Sequence, residues 1–141
     1  MESPLIHDGS QTVAGFNANS TAALGPGGSR QYTFVRLSTL ADRTVLNTTL
    51  AGQLPYGVLQ NKPSTGEAAD VGIFGVTNLV AGTTSVAAGV QIMADTSGNA
   101  IAYSSAAGRV AAGIALETPS AAGQVFTAAI YGFGNGGGSA A

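Results

Sequence analysis

Few residues in this chain could do covalent or acid–base chemistry, and their spacing gives that chemistry little to work with. The single histidine, His7, lies in a segment with no strand or helix period. A serine–histidine–acid arrangement needs that imidazole held rigidly beside a nucleophile, so His7-Asp8 reads as a polar pair on extended chain. There is no cysteine, and the sole lysine, Lys62, is followed by Pro63, which places it in no phosphate-binding loop. Lys62 is also the only lysine that a lipoyl- or biotinyl-carrier hairpin could use, and its neighbours do not resemble that motif.

The acids divide the same way. Glu67, Asp70, Asp95 and Glu117 could pair as carboxylates in a hydrolase, but nothing in their separation demands it, and solvated turn acids are the simpler reading. Asp95-Thr-Ser-Gly-Asn has the start of a calcium loop without the later bidentate glutamate, so a hairpin turn is expected there. Gly25-Pro-Gly-Gly-Ser-Arg is Gly-rich but lacks the lysine and following helix of a phosphate cradle, and it reads as linker. Asn19-Ser-Thr and Asn47-Thr-Thr match glycosylation sequons, which carry meaning only on a secretory route. The opening Met-Glu-Ser-Pro has neither the basic nor the apolar region of a signal peptide, so no such route is expected. The chain is therefore expected to be no enzyme, with no catalytic, cofactor-binding or metal-ligating residues and no cofactor.

Composition sets the frame. The chain has 141 residues, of which Ile, Leu, Val and Phe number 32, enough for one small core and not for two. Only 9% of residues are charged, against about 25% in an ordinary soluble domain. Residues 71–94 and 118–141 carry no Asp, Glu, Lys or Arg at all. So weak a self-repulsion suits a surface hidden against neighbours. A net charge of −2 with scattered basic residues excludes nucleic acid as the main partner. No run of 18 apolar residues is present to form a membrane-spanning helix, and no membrane partner is expected.

Between Gln31 and Tyr131 the punctuation is that of short strands. Strands are expected over 31–38, 43–50, 56–61, 69–77, 90–95, 100–104, 110–117 and 124–131. Hairpin turns are expected at 96–99 and 118–123, and one helical turn at 38–43. The expected core is Val35, Leu37, Val71, Ile73, Ile92, Ile114, Val125 and Ile130. The fold class is all-β, a small barrel or sandwich of short antiparallel strands. It divides into an extended N-terminal arm (1–29), a β domain (30–132) and a Gly-rich C-terminal tail (133–141). Ordering the arm costs on the order of 30–60 kcal/mol of backbone entropy. Its few apolar side chains recover about 1.5–3 kcal/mol each. Order in the arm is therefore expected only against neighbouring chains.

The stretch from Pro55 to Ile130 carries a resemblance. Pro55-Tyr-Gly-Val-Leu-Gln-Asn-Lys-Pro, Gly66-Glu-Ala-Ala-Asp-Val-Gly-Ile-Phe-Gly-Val-Thr, Val86-Ala-Ala-Gly-Val-Gln-Ile-Met-Ala-Asp, Gly113-Ile-Ala-Leu-Glu-Thr and Gly123-Gln-Val-Phe-Thr-Ala-Ala-Ile follow one another in the order seen in capsid cement (head decoration) proteins of tailed bacteriophages. Each piece is short, and the specificity lies in their order over about half of the chain. The resemblance implies a structural protein of the virion, made in the host cytoplasm and placed on the outer capsid surface. There it would bind the major capsid protein, hold capsid subunits together and self-associate, often as a homotrimer. Leu5, Ile6, Phe16 and Arg30 of the arm are the capsid-contact candidates, with strand addition to an exposed sheet edge as the mode. The alternative is a β-structured phage fibre or adhesin piece that binds host glycans, using Tyr56, Tyr103 and Tyr131; a small hydrolase is a weaker third. Broad esterase, glycosidase and transferase screens of the purified chain are expected to show no turnover. Turnover that disappears in His7→Ala or Lys62→Ala would overturn that expectation.

Overall fold

The β-branched and aromatic runs form strands where their alternation places them, and no described residue is helical. The computed structural model describes residues 11–18 (backbone only), 31–40, 42–63, 66–83 and 85–131. Nine strands follow in order: β1 (Gln11–Ala18), β2 (Phe34–Leu37), β3 (Thr44–Asn47), β4 (Gly57–Leu59), β5 (Ala68–Val80), β6 (Gln91–Ala94), β7 (Ala100–Ala102), β8 (Gly113–Ala115) and β9 (Val125–Ile130). All eight expected strands are present and the fold is all-β. At 38–43 the chain makes the turn of the β2–β3 hairpin rather than a helical turn. The Ser38 N–H donates to Thr44 O across it at 2.8 Å, which brings the strands together too soon for a helix to start.

The order β1-β3-β2-β4-β5, with β1 also paired to β5, closes five strands into a ring. Only the β1–β3 pair is parallel. The sheet continues from the second half of β5 as β5-β9-β8-β6-β7. A parallel bridge from Ala81 to Ala100 curls that half back towards its start. β5 is thirteen residues long because it serves both halves. Its residues 68–74 pair with β1 and its residues 75–80 with β9.

Residues 11–18 differ from the sequence expectation. No strand period was readable in 1–29, yet β1 adds a strand to the chain's own sheet. The expectation that order there needs a neighbouring chain is corrected for this segment. Backbone hydrogen bonds on both edges supply what its side chains lack. The rest of the arm lies outside the described residues, as do 132–141.

The interior also differs. Two apolar clusters are present where one was expected, set back to back through shared strands. Val35, Val45, Leu59, Ala69 and Val71 form the first, with Tyr56 and Ile73 packed against it. Phe34, Val58, Leu79, Val86, Ile92 and Phe126 lead the second, filled out by six alanines and Ile130. Phe34 and Val35 are neighbours on β2, and Val58 and Leu59 on β4, so alternate side chains of the same strands serve opposite clusters. Small alanines let few large residues fill two layers. Of the expected core, Val35, Val71, Ile92 and Ile130 are buried, while Ile73 and Ile114 are half-buried. Leu37 and Val125 are instead exposed, at 43% and 48%. Leu37 stands where β2 runs past the interior, and on β9 the inward positions belong to Phe126, Ala128 and Ile130.

Polar contacts join the halves. The β6–β7 turn docks on β2 and β3: the Phe34 N–H donates to Gly98 O at 2.7 Å, Asn47 Nδ2 to Ser97 O at 2.7 Å, and Thr48 Oγ1 to Asp95 O at 3.0 Å. β4 and β5 approach so closely that a Cβ on Gly57 would strike the carbonyl of Gly72. Because β5 and these contacts link the clusters, Leu59→Ala in one and Leu79→Ala in the other are each expected to cost about 2–5 kcal/mol. Both variants should unfold in one denaturant transition, and two separable transitions in either would show independent halves.

Candidate interaction surface

The acids and the lysine singled out from the sequence do not converge into a reactive centre. Lys62, Glu67 and Asp70 are exposed on the segments around β4 and the start of β5. Asp95 is spent on its turn, where Oδ1 accepts from the N–H groups of Ser97 (2.7 Å) and Asn99 (2.9 Å). Glu117 Oε1 accepts from the Thr127 N–H at 2.8 Å, and hydrogen bonding from Thr127 holds its carboxyl below the ordinary glutamate value. That contact favours the fold above the unfolded-state pKa and is lost as pH falls through the lowered one. No group of three or more His, Cys, Asp or Glu side chains stands together among the described residues.

The capsid-contact candidates are only partly placed. Leu5, Ile6 and Arg30 lie outside the described residues, as does His7. The backbone of Phe16 pairs with Ala69 in the β1–β5 ladder. The three tyrosines separate. Tyr56 packs on the first cluster, whereas Tyr103 and Tyr131 flank Gln91. The Tyr103 N–H donates to Gln91 O at 2.8 Å, and Gln91 Nε2 donates to Tyr131 Oη at 3.1 Å.

A surface feature of another kind stands at the end of the first ring. Where β2 runs out, Arg36, Leu37 and Thr39 face the segment Gln53-Leu54-Pro55-Tyr56 that leads into β4, leaving an open groove of about 390 Å³. Its walls continue the β2–β4 ladder, since the Tyr56 N–H donates to Val35 O at 2.8 Å. Leu54 is half exposed, and Leu40 (96%) and Leu50 (64%) stand on the adjoining loops. Arg36 is the one charged residue of the lining, and its Nε donates to Asn47 O at 3.1 Å. The exposed leucines and the groove make this end of the first ring an apolar surface patch.

The groove depends on a tight loop. The Gln53 N–H donates to Leu50 O at 3.1 Å, and Gly52 between them has φ +73°, as the third position of a type II turn requires. Gly52 N–H also donates to Ala94 O at 2.7 Å and its carbonyl accepts from the Val110 N–H at 2.9 Å, which pins the groove's far wall to the second half of the sheet. Sequence reasoning missed this groove because two separated segments, 36–39 and 53–56, build it and neither carries a motif. The only trace was a leucine-rich composition at Leu37, Leu40, Leu50 and Leu54 in segments read as strand ends and turns.

No protein-family model matches the chain, and no curated protein matches it in sequence. Among solved structures, it is similar to the N base of the head fibre protein gp8.5 of bacteriophage phi29. The TM-score is 0.64 at 18% identity, with 86% of this chain and 95% of that chain covered. The two share a fold over nearly the whole of the phage domain. Gly52→Ala is expected to cost more than about 1 kcal/mol, because Ala resists a positive φ. Its Cβ would also stand 2.5 Å from Arg109 Cγ. Chemical denaturation measures the loss, and an unchanged midpoint would show that the loop is not held as described.

Proposed function

We propose that this chain is a non-enzymatic structural protein of a phage head, seated on the outer capsid surface as a cement or decoration protein that binds the major capsid protein. The observation that carries this reading is the fold shared with a phage head fibre base across 95% of that domain. Three further features support it. The acids found in the sequence are occupied or dispersed. Charge is scarce, at 9% of residues. The groove beside Leu37 and Leu54 is apolar and open, of a size to take an apolar side chain. In this role the protein adds contact area across joints between capsid subunits, with the loop end of the first ring facing the lattice. Leu5, Ile6, Phe16 and Arg30 remain proposed contacts of the arm. Homotrimer formation on the lattice belongs to the same proposal.

A second reading is a fibre base or adhesin piece that binds host glycans. Tyr131 beside the exposed Gln91 amide favours it, since an aromatic face next to an amide suits a sugar ring. Reproducible binding on a glycan array that falls in Tyr131→Ala would support it.

The cement reading is tested by adding purified chain to heads that lack it and imaging them. Copies at regular outer-surface positions are expected. Leu54→Asp should weaken attachment by about tenfold or more, as for a buried apolar anchor. Heads that stay bare, or attachment unchanged in both Leu54→Asp and Leu37→Asp, would sink the reading or the groove's part in it, respectively.

A further inference from the structure

The charge-free stretches of the sequence meet on one face of the second half of the sheet. Residues 71–94 contain most of β5 and all of β6, and residues 118–141 contain β9. The register joins their outward positions into rows. Val76 pairs with Ala129, which pairs in turn with Ile114 of β8; Asn78 pairs with Thr127; and Val80 pairs with Val125. The Leu116 N–H donates to Thr127 O at 2.9 Å, which extends the middle row to the residue just past β8. These side chains point away from the second cluster, because Thr77, Leu79, Phe126 and Ala128 between them are buried. Val125 and Leu116 are 48% and 46% exposed. The result is a sheet face without a charged side chain in its rows, apolar over β5 and β9 apart from Asn78 and Thr127, and bordered on β6 by Gln91, which pairs with Ile114 and donates to Tyr131 Oη. Glu117 stands at its end, with its carboxylate engaged by the Thr127 N–H.

We infer that this face, centred on Val80, Val125, Thr127 and Leu116, is where one copy of the chain packs against another. The argument for a second copy is electrostatic and geometric. A heterologous partner is usually oriented by complementary charge, and this face offers none. Two identical uncharged faces have no like charges to oppose them and satisfy one another by symmetry. The alternating small and β-branched residues suit sheet-on-sheet packing at about 10 Å. Edge-to-edge association is disfavoured, because both long edges of β5 and β9 are already paired.

Area sets the strength. Two six-residue stretches and the three-residue β8, about 4.8 Å apart, give roughly 240 Å² of face. A standard interface buries about 800 Å² per partner, so the contact is weak between dilute copies and fills when copies are concentrated, as on a surface. This inference does not depend on the capsid reading and is tested without a capsid.

Sedimentation equilibrium of the purified full chain, followed up to about 1 mM, is expected to show concentration-dependent self-association. Val125→Glu should weaken it by about tenfold or more, since two carboxylates would be buried without partners. Leu116→Lys provides a second disruption if circular dichroism shows that Val125→Glu does not fold. Leu54→Asp, in the groove at the other end, should leave self-association unchanged. A chain that remains monomeric to about 1 mM would overturn the inference. So would association that survives both face variants, or that is abolished by Leu54→Asp alone.

Discussion

The structure depends on one strand being shared. β5 hands its edge from β1 to β9 between Phe74 and Gly75, so the first ring and the second half of the sheet are one hydrogen-bonded system. Sharing lets a chain with few large apolar residues bury two clusters, because β2, β4 and β5 present side chains to an interior more than once along their length. Two separate small barrels would each need their own set of walls. The cost appears as tolerance lost at the junctions. Gly57 admits no side chain against the Gly72 carbonyl, and the Asp95–Asn99 turn must sit where Phe34, Asn47 and Thr48 can reach its backbone.

Much of this was legible in the residues, and the exceptions have identifiable causes. Eight strands and both main turns follow from β-branched runs between Gly, Pro, Asn and Ser. β1 did not, because its register shifts twice, between Gln11 and Thr12 and between Val13 and Phe16. Such an irregular ladder does not impose on the sequence the strict period of two on which reading a strand relies. Leu37 and Val125 were misplaced for a related reason. Val125-Phe-Thr-Ala-Ala-Ile carries apolar residues at both parities, and only the partner strand decides which set faces inward.

The surfaces were less legible than the interior. Charge scarcity pointed to hidden surface, but only the register shows that its two longest stretches fall on neighbouring strands. The leucine groove lies at another place, at the end of β2 beside Arg36 and near the β2–β3 connection that carries Asp42 and Arg43. One surface is apolar and featureless in charge; the other is apolar within a charged setting. Strand addition by the arm, expected against another chain, occurs for residues 11–18 within the chain itself.

A protein with so little charge has weak colloidal protection, and sheet proteins of this kind are prone to grow into fibrils through unpaired strand edges. Here β1 lies between β3 and β5 and removes the edges that the first five strands would otherwise expose. The remaining edge, β7, is three residues long, and the Gly82 N–H caps part of it by donating to Ala100 O at 2.8 Å. Topology thus takes over part of the task that surface charge performs in most soluble proteins, by leaving few unpaired strand edges among the described residues on which a fibril could grow.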